Sequence, residues 1–167
     1  MERHENSNII LPGNLLLRTL EPRDSLSFYN LYKKNYETKL AEESPFQPGE
    51  TEADFTARIL GLCTHIWTIR LSDDPQTIVG DAALHDWIKE TSTIEIGGTL
   101  LPEYHGKGIM ISVFDYIISF AKEQLNIKTI IGKTGINNQQ AARLVLKLGF
   151  TRSNESDGLA VFQKILE

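Results

Sequence analysis

The stretch LPEYHGKGIM, residues 101 to 110, places Gly106 and Gly108 on either side of Lys107, directly before a long apolar run with helical spacing. Glycine in the first turn of a helix costs roughly 1 kcal/mol relative to alanine. Glycines at a strand-to-helix turn leave unpaired backbone N–H groups at the helix N-terminus and let an anion approach the backbone closely. The stretch therefore predicts an anion cradle, with a plain tight turn as the alternative.

The elements around this stretch predict a mixed α/β fold with a βαβ unit at its centre. TIEIGGTLL (93 to 101) predicts a strand that leads into the glycines, and the apolar spacing from Ile109 to Leu125 predicts the helix that follows. KTIIGKT (128 to 134) is an apolar run typical of a buried strand. Outside this unit we expect strands at 14 to 20, 65 to 71, 77 to 84, 150 to 156 and 159 to 166, and helices that begin near Pro22, at Thr51 and at Asn138. The order predicts a mixed, mostly antiparallel sheet.

Length and composition indicate one ordinary globular domain. The chain has 167 residues, of which 41% are hydrophobic and 23% charged, and this balance excludes the composition of a disordered protein. No repeat or linker marks a boundary, so we expect a single domain over residues 1 to 167, with 1 to 13 as a candidate mobile arm. Cys63 is the only cysteine, which excludes an internal disulfide. Its place on the apolar side of the second helix predicts a buried small hydrophobe.

Charge and hydropathy bear on partners and location. The 17 basic and 22 acidic residues give a net charge of −5, which argues against a nucleic acid partner and mildly for a cationic one. No apolar run approaches the roughly 20 residues that span a bilayer, and the start MERHENSNII is too polar for a signal peptide. We therefore expect a cytoplasmic protein without membrane contact. No spacing of His, Cys and carboxylate residues indicates a metal site.

Two common phosphate-binding motifs do not match the glycine stretch. A Walker A loop needs a serine or threonine after the lysine, whereas Lys107 is followed by Gly108, and no glycine stands five places before Gly106. A dinucleotide-binding fingerprint needs a third glycine at position 111, which is Ile111. Both readings are therefore disfavoured.

EYHGKG (103 to 108) resembles instead the pyrophosphate loop of the GNAT acetyltransferase superfamily. That loop has Gln or Arg, two further residues, Gly, one residue, and then Gly or Ala, and it lies between a splayed strand and a helix. The match is at Gly106 and Gly108, and Glu103 stands where Gln or Arg is commonest. Glutamate there, after a strand such as IEIGGTLL, resembles the RimJ/RimL branch of ribosomal-protein N-acetyltransferases.

A second match to the same superfamily follows about 30 residues on, in NQQAARLVLKLGF (138 to 150). Members commonly carry a helix that starts with Asn and ends in Lys, one residue, Gly and Phe. Asn138, Lys147, Gly149 and Phe150 fit that pattern in register. Together the two matches cover most of the C-terminal half, and they imply the acyl-CoA N-acyltransferase (GNAT-like) fold.

The resemblance implies acetyl-CoA as cosubstrate and assigns residues to it. Backbone N–H groups from His105 through Gly106, Lys107, Gly108, Ile109 and Met110 would hold the pyrophosphate. The pantetheine arm would hydrogen-bond along Thr99, Leu100 and Leu101, with Asn138 beside it.

The implied reaction is attack of a primary amine on the thioester, without a metal. The backbone N–H of Leu100 would stabilise the oxyanion. Glu95, on the strand before the loop, is the preferred candidate for the base, with an outward-facing structural carboxylate as the alternative. His85 is a second candidate, because imidazole titrates near neutral pH.

Three positions depart from the superfamily pattern. Val145 replaces a tyrosine that commonly acts as general acid, Ala141 replaces a serine frequent in the RimJ/RimL branch, and Ser112 replaces a glutamate after the loop. A thiol with a pKa near 8.5 leaves as thiolate without a proton donor, so transfer remains chemically feasible. The departures also keep open a catalytically silent CoA-binding sensor or interaction module, and a third option is an unrelated anion-binding α/β domain.

The acceptor is expected to be a protein N-terminus or a small-molecule amine, bound by a monomer or homodimer. The first two helices, the loop SPFQPGE (44 to 50) and the C-terminal hairpin would form the acceptor end. Phe46, Trp67 and Trp87 are candidates to line it, with burial in the core as the alternative for each.

Overall fold

The computed structural model describes residues 8 to 38 and 43 to 167. These residues form eight strands and four helices, with short 3-10 turns at Pro22–Asp24 and Pro102–Tyr104. In chain order the elements are β1 (Ile9–Leu11), β2 (Leu15–Thr19), α1 (Ser25–Thr38), α2 (Glu52–Leu62), β3 (Cys63–Leu71), β4 (Gly80–Ile88), β5 (Thr93–Leu100), α3 (Ile109–Leu125), β6 (Thr129–Gly135), α4 (Gln139–Lys147), β7 (Thr151–Ser156) and β8 (Leu159–Ile165).

The strands form one sheet in the order β1-β2-β3-β4-β5-β6-β8-β7. Strands β5 and β6 are parallel, with Thr93 opposite Thr129 and Glu95 opposite Ile131. The pairs β1–β2, β2–β3, β6–β8 and β7–β8 are antiparallel. Helix α3 connects the two parallel strands, so the predicted mostly antiparallel sheet with a central βαβ unit is confirmed.

Contacts divide the chain into two compact units. Of the described residues, the first comprises 8 to 38, 43 to 83 and 98 to 109, and the second comprises 84 to 97 and 110 to 167. The expectation of a single domain over the whole chain stays a prediction. Part of the candidate mobile arm is in fact a strand, because Ile9–Leu11 pair as β1 with β2. Residues 1 to 7 of that arm lie outside the described residues.

The core of the first unit is rich in aromatic rings from α1, α2 and the loop between them. Phe28 and Phe55 are fully buried with ring centroids 5.5 Å apart, and Phe46 stacks on Tyr29 at 4.3 Å. Trp67 on β3 is 4% exposed and belongs to the buried set. Of the candidates for the acceptor end in this unit, Phe46 and Trp67 therefore have packing roles.

Helix α2 begins where the sequence predicts but ends earlier. The Thr51 hydroxyl accepts from the Asp54 N–H, and the Asp54 carboxylate accepts from the Thr51 N–H, which confirms the predicted capping box. The predicted helical position of Cys63 is wrong, since Cys63 has extended backbone and opens β3. No turn residue separates the two elements, so pairing of β3 with its neighbours decides the boundary.

The core of the second unit follows the predicted stripe of α3. Val113, Ile117 and Ala121 are fully buried, as the spacing of four predicts. Helix α4 begins at the predicted place, because the Asn138 side chain caps it by accepting from the Ala141 N–H at 3.1 Å. Among the described residues, none of the helices has the length and apolar character that crossing a membrane requires.

Candidate active site

The glycine loop between β5 and α3 has the backbone conformation that requires glycine. Gly106 and Gly108 have φ values of 75° and 76°, and a Cβ added to either would meet no heavy atom within 4 Å. The loop leads into α3, a helix of 17 residues whose first-turn N–H groups lack intrahelical acceptors. Open backbone at a helix N-terminus is the environment in which proteins bind phosphate groups.

Side chains beside the glycines anchor the loop. The His105 Nε2 lies 2.8 Å from the Leu100 carbonyl oxygen, and because a carbonyl only accepts, the imidazole donates this hydrogen bond. Lys107 Nζ lies over the Tyr104 ring, 5.5 Å from its centroid. The loop is thus tied to the end of β5 through a histidine side chain, and direct contact of Lys107 with pyrophosphate stays a prediction.

Backbone groups at the end of β5 point to alternate edges of the strand. The Leu101 N–H donates to the Val79 carbonyl at 3.0 Å. N–H groups of successive strand residues point to opposite edges, so that of Leu100 lies on the edge away from that of Leu101. The role of Leu100 as oxyanion donor stays a prediction, and any pantetheine contact at Leu101 falls to its other atoms.

A buried carboxylate on β4 gathers several donors. Asp81 is 2% exposed, and its Oδ2 accepts from the Tyr32 hydroxyl at 2.6 Å. Burial raises the pKa of Asp81 to about 6, against the opposing effect of hydrogen bonds from Tyr32 and from the backbone and side chain of Thr99. Burial, followed by the charge of Asp81, raises the pKa of Tyr32 well above its usual value. A Cβ on Gly80 would lie 2.4 Å from the Thr99 carbonyl oxygen, so glycine is required at this close approach of backbones.

The two predicted base candidates lie in one cluster of the second unit. His85 Nδ1 lies 2.6 Å from Asp86 Oδ2 and 3.5 Å from Glu95 Oε2. The hydrogen bond from His85 lowers the pKa of Asp86 and keeps this carboxylate ionised. An ionised carboxylate only accepts, so Nδ1 carries a proton, and in the neutral form of the ring the lone pair is therefore on Nε2.

Backbone strain brings Asp86 to His85. Adjacent side chains of a regular strand point to opposite faces, whereas these two are in hydrogen-bond contact. Asp86 has a φ of 52°, in the left-handed region that aspartate tolerates better than most residues. His85 Nε2 faces Gly97, where an added Cβ would lie 3.4 Å away. Strained residues of this kind persist where the surrounding structure enforces them, frequently at functional sites.

Lys133 on β6 completes the cluster. Its Nζ lies 2.6 Å from Glu95 Oε1, and hydrogen bonding to Glu95 raises the pKa of Lys133. Ligand atoms of His85, Asp86 and Glu95 lie within 4.8 Å of one another, which is a spacing that metals use. The charge of Glu95 is already matched by a protein ammonium, which a bound cation would have to displace. The expectation of no metal stays a prediction.

The other predicted positions are distributed between the two units. The first unit holds Thr99, Leu100, Leu101, His105, Gly106, Lys107, Gly108 and Ile109, and the second holds His85, Glu95, Met110 and Asn138. The Asn138 side-chain oxygen is used as the cap of α4, so its predicted place beside pantetheine stays a prediction. Val145, at the position where the superfamily commonly has a tyrosine as general acid, is 4% exposed.

Sequence reasoning missed four members of these clusters: Tyr32, Asp81, Asp86 and Lys133. A signal for Asp81 was present, because TIVGDAAL carries one acid inside an otherwise apolar run. No signal pointed to Tyr32, which lies 49 residues from Asp81 in the chain. The contact depends on tertiary structure that spacing does not encode.

The residues of the glycine loop fit the pyrophosphate of coenzyme A. Positive φ, absent Cβ atoms and an unobstructed space lie together at the start of a long helix. Backbone N–H groups and the helix dipole both favour an anion there. A plain tight turn explains the glycines equally well in conformational terms, but it does not require open space above both of them.

Comparison with known proteins agrees with this fit. A family model described as "Acetyltransferase (GNAT) domain" matches residues 14 to 151. No curated protein matches the chain by sequence.

Several solved structures share the fold at low sequence identity. RimL, a ribosomal L7/L12 alpha-N-protein acetyltransferase solved with coenzyme A, has a TM-score of 0.81 and 15% identity, covering 96% of this chain and 98% of that one. The ribosomal-protein-S5-alanine acetyltransferase from Vibrio fischeri has a TM-score of 0.77 and 18% identity, covering 95% and 96%. Spermidine N-acetyltransferase from Vibrio cholerae has a TM-score of 0.70 and 17% identity, covering 91% and 94%.

Proposed function

The chain belongs to the GNAT acetyltransferase family, and we propose that it transfers the acetyl group of acetyl-CoA to a primary amine by direct attack in a ternary complex. GNAT enzymes use acetyl-CoA, which supplies an activated acetyl group as a thioester. The observation that carries the proposal is the glycine loop, whose open, positive-φ backbone at Gly106 and Gly108 precedes the longest helix described.

The proton of the attacking amine goes to His85 Nε2 in this proposal. Asp86 accepts the Nδ1 proton of His85 at 2.6 Å, which orients the ring and stabilises the imidazolium that forms. Glycine at position 97 leaves room for His85 Nε2, which would lie 3.4 Å from an added Cβ. These contacts support His85 over Glu95 as the proton acceptor.

Glu95 would act on His85 through its charge. One carboxylate oxygen pairs with Lys133 Nζ at 2.6 Å, and the other lies 3.5 Å from His85 Nδ1. Its side chain is 13% exposed, against 32% for that of His85. A carboxylate held by an ammonium is a poorer proton acceptor than a free one, because the opposite charge favours its ionised form.

The Leu100 N–H would donate to the thioester oxygen as negative charge develops there. The C–N bond forms as the C–S bond breaks, and the electron pair of that bond leaves with sulfur. A thiolate of ordinary pKa, near 8.5, leaves without a proton from the protein. Val145 in place of a general acid is compatible with this step.

The acceptor amine has two candidate classes. Proteins of similar fold act on ribosomal protein N-termini and on spermidine, as their names state. A terminal amine has a pKa of roughly 7.7 to 8.0 and a lysine-like amine about 10.4, so a terminal amine reaches its reactive neutral form at less cost. This difference favours a protein or peptide N-terminus, with a small-molecule amine as the second class.

A catalytically silent CoA-binding module is the second candidate function. Val145 is buried at the position where the family commonly has a proton donor, and Ala141 stands where the RimJ/RimL branch frequently has a serine hydroxyl. Such a module binds coenzyme A and acetyl-CoA but releases no thiol in the presence of amines.

The test of the proposed function combines binding and turnover. Acetyl-CoA binding is followed by displacement of a fluorescent CoA, and thiol release is followed with spermidine, a lysine derivative and peptides of free N-terminus. Competition by acetyl-CoA together with amine-dependent thiol release supports acetyl transfer. Competition without thiol release supports the silent module, and binding of inorganic phosphate without CoA preference supports an unrelated anion-binding domain.

Gly106→Ala tests the loop itself, with Gly13→Ala as the matched control. Both glycines have positive φ, 75° and 85°, with nothing within 4 Å of an added Cβ, so both substitutions cost similar backbone strain. We expect Gly106→Ala to weaken acetyl-CoA binding at least about tenfold, which corresponds to the loss of about one good contact, while Gly13→Ala leaves binding unchanged. Equal effects of the two variants would support the plain-turn alternative.

A further inference from the structure

The peptide group that joins Leu100 to Leu101 is held at both of its polar atoms. Its carbonyl oxygen accepts from His105 Nε2 at 2.8 Å, and its N–H donates to the Val79 carbonyl at 3.0 Å. The His105 side chain thereby reaches back five residues, from the glycine loop to the end of β5. No step of the acetyl transfer proposed above uses this imidazole.

Resting on the proposed function, we infer that His105 is a positioning residue for the binding of coenzyme A. Its imidazole holds the glycine loop in the shape that receives the pyrophosphate, and it does so before the cofactor arrives. The ring exerts this effect through the backbone of Gly106 and Gly108, without contacting the pyrophosphate.

The chain that precedes His105 is already well held. Leu101 is 5% exposed and belongs to the apolar core of the first unit, and Tyr104 packs against the same core. Between these two residues the chain makes a 3-10 turn, in which the Tyr104 N–H donates to the Leu101 carbonyl at 2.9 Å. The backbone N–H of His105 donates to the Pro102 carbonyl at 3.1 Å. Both polar groups of His105 that donate thus fix the start of the loop.

The two glycines that follow His105 have no side chain with which to hold the loop. Both have positive φ, 75° and 76°, and an added Cβ on either would meet no heavy atom within 4 Å. Glycine loses more conformational freedom on folding than any other residue, so ordering such a loop is entropically costly. A ligand that has to order its own site binds more weakly than one that meets the site already formed. A hydrogen bond at the residue next to Gly106 lowers this cost.

The alternative role of this hydrogen bond is to stabilise the fold. His105 is half-buried, so water competes for its donor and the net contribution of the bond to folding stability is modest. Its position between a fixed peptide and two glycines is what favours a role in the loop. A carbonyl only accepts, so Nε2 carries the proton in this contact, and the role depends on one identified donor.

The experiment compares His105→Phe and His105→Gln with wild type. Phenylalanine keeps the ring shape without a donor, whereas the amide of glutamine offers a donor near the position of Nε2. Dissociation constants for acetyl-CoA are measured by displacement of fluorescent CoA, and melting temperatures are measured on the same samples. Turnover is measured with two acetyl donors, acetyl-CoA and acetyl-pantetheine, which carries the same thioester but lacks the pyrophosphate. The acceptor is whichever of spermidine or an alanine-terminated peptide is acetylated.

His65→Phe is the matched control, because it is the same substitution at another half-buried histidine of the first unit. The His65 ring stacks on Trp67 with centroids 5.6 Å apart, an arrangement that phenylalanine can keep. His65 lies on β3, outside the glycine loop. A general effect of exchanging histidine for an apolar ring would therefore be seen in both variants.

We expect His105→Phe to weaken acetyl-CoA binding roughly three- to tenfold, which is the effect of losing one hydrogen bond. Its kcat at saturating acetyl-CoA and its kcat/KM for acetyl-pantetheine should stay within about twofold of wild type, because neither quantity depends on holding the pyrophosphate. His105→Gln should recover most of the affinity, and His65→Phe should bind acetyl-CoA as wild type does.

A measurement on wild type covers the case in which His105→Phe does not fold. In protein with ¹⁵N-labelled histidine, the His105 ring should show a proton on Nε2 through its one-bond ¹⁵N–¹H coupling. We expect this proton both without and with coenzyme A, because the hydrogen bond forms before the cofactor binds. A ring that lacks the Nε2 proton in the free protein would contradict the inference.

Two further results overturn the inference while the proposed function stands. If His105→Phe binds acetyl-CoA as tightly as wild type and differs only in melting temperature, the role of His105 is structural. If kcat/KM falls equally for both acetyl donors, the hydrogen bond acts at the thioester and not at the pyrophosphate.

Failure of the proposed function gives a different result. If wild type does not bind acetyl-CoA, the proposed function fails and the positioning role fails with it. If wild type binds acetyl-CoA but acetylates no amine, acetyl transfer fails, whereas the dissociation constants and the ring signals still decide the role of His105.

Discussion

Two regions of the molecule offer different chemical groups: the end of β5 with its glycine loop, and the His85 cluster of His85, Asp86, Glu95 and Lys133. The first offers backbone N–H groups, held by hydrogen bonds such as that of His105 to the Leu100 carbonyl. The second offers charged side chains, held by a carboxylate and an ammonium within 2.6 Å of their partners. Substitutions in the first region should therefore act through shape and binding, and those in the second through charge and rate.

Strand β4 contains the same contrast within five residues. Asp81 is buried among uncharged donors, and burial raises its pKa to about 6. Asp86 is mostly exposed, and its hydrogen bond to His85 lowers its pKa. Two residues of the same type on the same strand thus have pKa values shifted in opposite directions. Desolvation and the charge of the nearest partner determine the direction of the shift.

The largest effect should come from His85→Gln. Glutamine keeps a donor for Asp86 but cannot take a proton, so we expect kcat/KM for acetyl transfer to fall roughly 10²- to 10⁴-fold, the usual range for a general base. Affinity for acetyl-CoA should change less than about threefold, since the loop of the first unit is untouched. Thiol release over pH 6 to 9 and displacement of fluorescent CoA measure the two quantities.

His65→Gln is the control for that variant. His65 stacks on Trp67 in the first unit at a ring distance of 5.6 Å and has no proposed part in proton transfer. Undiminished turnover in His85→Gln, combined with loss of turnover in Glu95→Gln, would contradict the assignment and restore Glu95 as the base.

The next largest effect concerns folding stability as a function of pH. The pKa of Asp81 is raised in the folded state, so folding binds a proton between pH 3.8 and about 6, and the contribution of this group to stability falls as pH rises through that window. The difference in free energy of unfolding between wild type and Asp81→Asn should fall by about 2 kcal/mol from pH 4 to 7. Urea unfolding at a series of pH values measures it.

For Asp86→Asn we expect the opposite pH dependence of the stability difference from wild type. The pKa of Asp86 is lowered, so its contribution is present above the unfolded value of 3.8 and is lost as pH falls through the folded value. The change is smaller than for Asp81, because an exposed pair is screened by solvent. If the stability difference between wild type and variant changed with pH in the same direction for both variants, the opposite environments assigned to Asp81 and Asp86 would be wrong.

The fold could be predicted from the sequence wherever a period or a cap decides an element. Helix α3 runs over the predicted Ile109–Leu125, and α4 starts at the predicted cap. Strand β1 was missed although Gly13 and Asn14, both with positive φ, form the turn of a hairpin that a glycine signal could have indicated. The boundary at Cys63 could not be predicted, because helix and strand meet there without a turn residue.

The candidate site divides in the same way. Gly106 and Gly108 were identified because a motif of consecutive residues encodes the loop. Of the cluster around His85, the sequence indicated only His85 and Glu95. Asp86 reaches His85 because its φ is positive, and Lys133 lies near Glu95 because β5 and β6 pair in parallel, and neither feature is readable from the sequence. The contact of Tyr32 with Asp81 joins elements 49 residues apart, and neither period nor motif encodes such a pairing.

The smallest effect should come from Lys133→Gln, compared with Lys107→Gln in the glycine loop. Lys133 is 45% exposed, and a pair of that kind contributes little, so we expect kcat/KM to fall only about two- to fivefold through a less ordered Glu95. Raising the salt concentration should bring wild type toward the variant, because screening weakens the same pair. Acetyl-CoA affinity should stay constant in Lys133→Gln and weaken in Lys107→Gln, whose turnover at saturation stays constant. An affinity loss in Lys133→Gln would mean that the charged cluster also holds the cosubstrate, and the division between a binding region and a rate-determining region would fail.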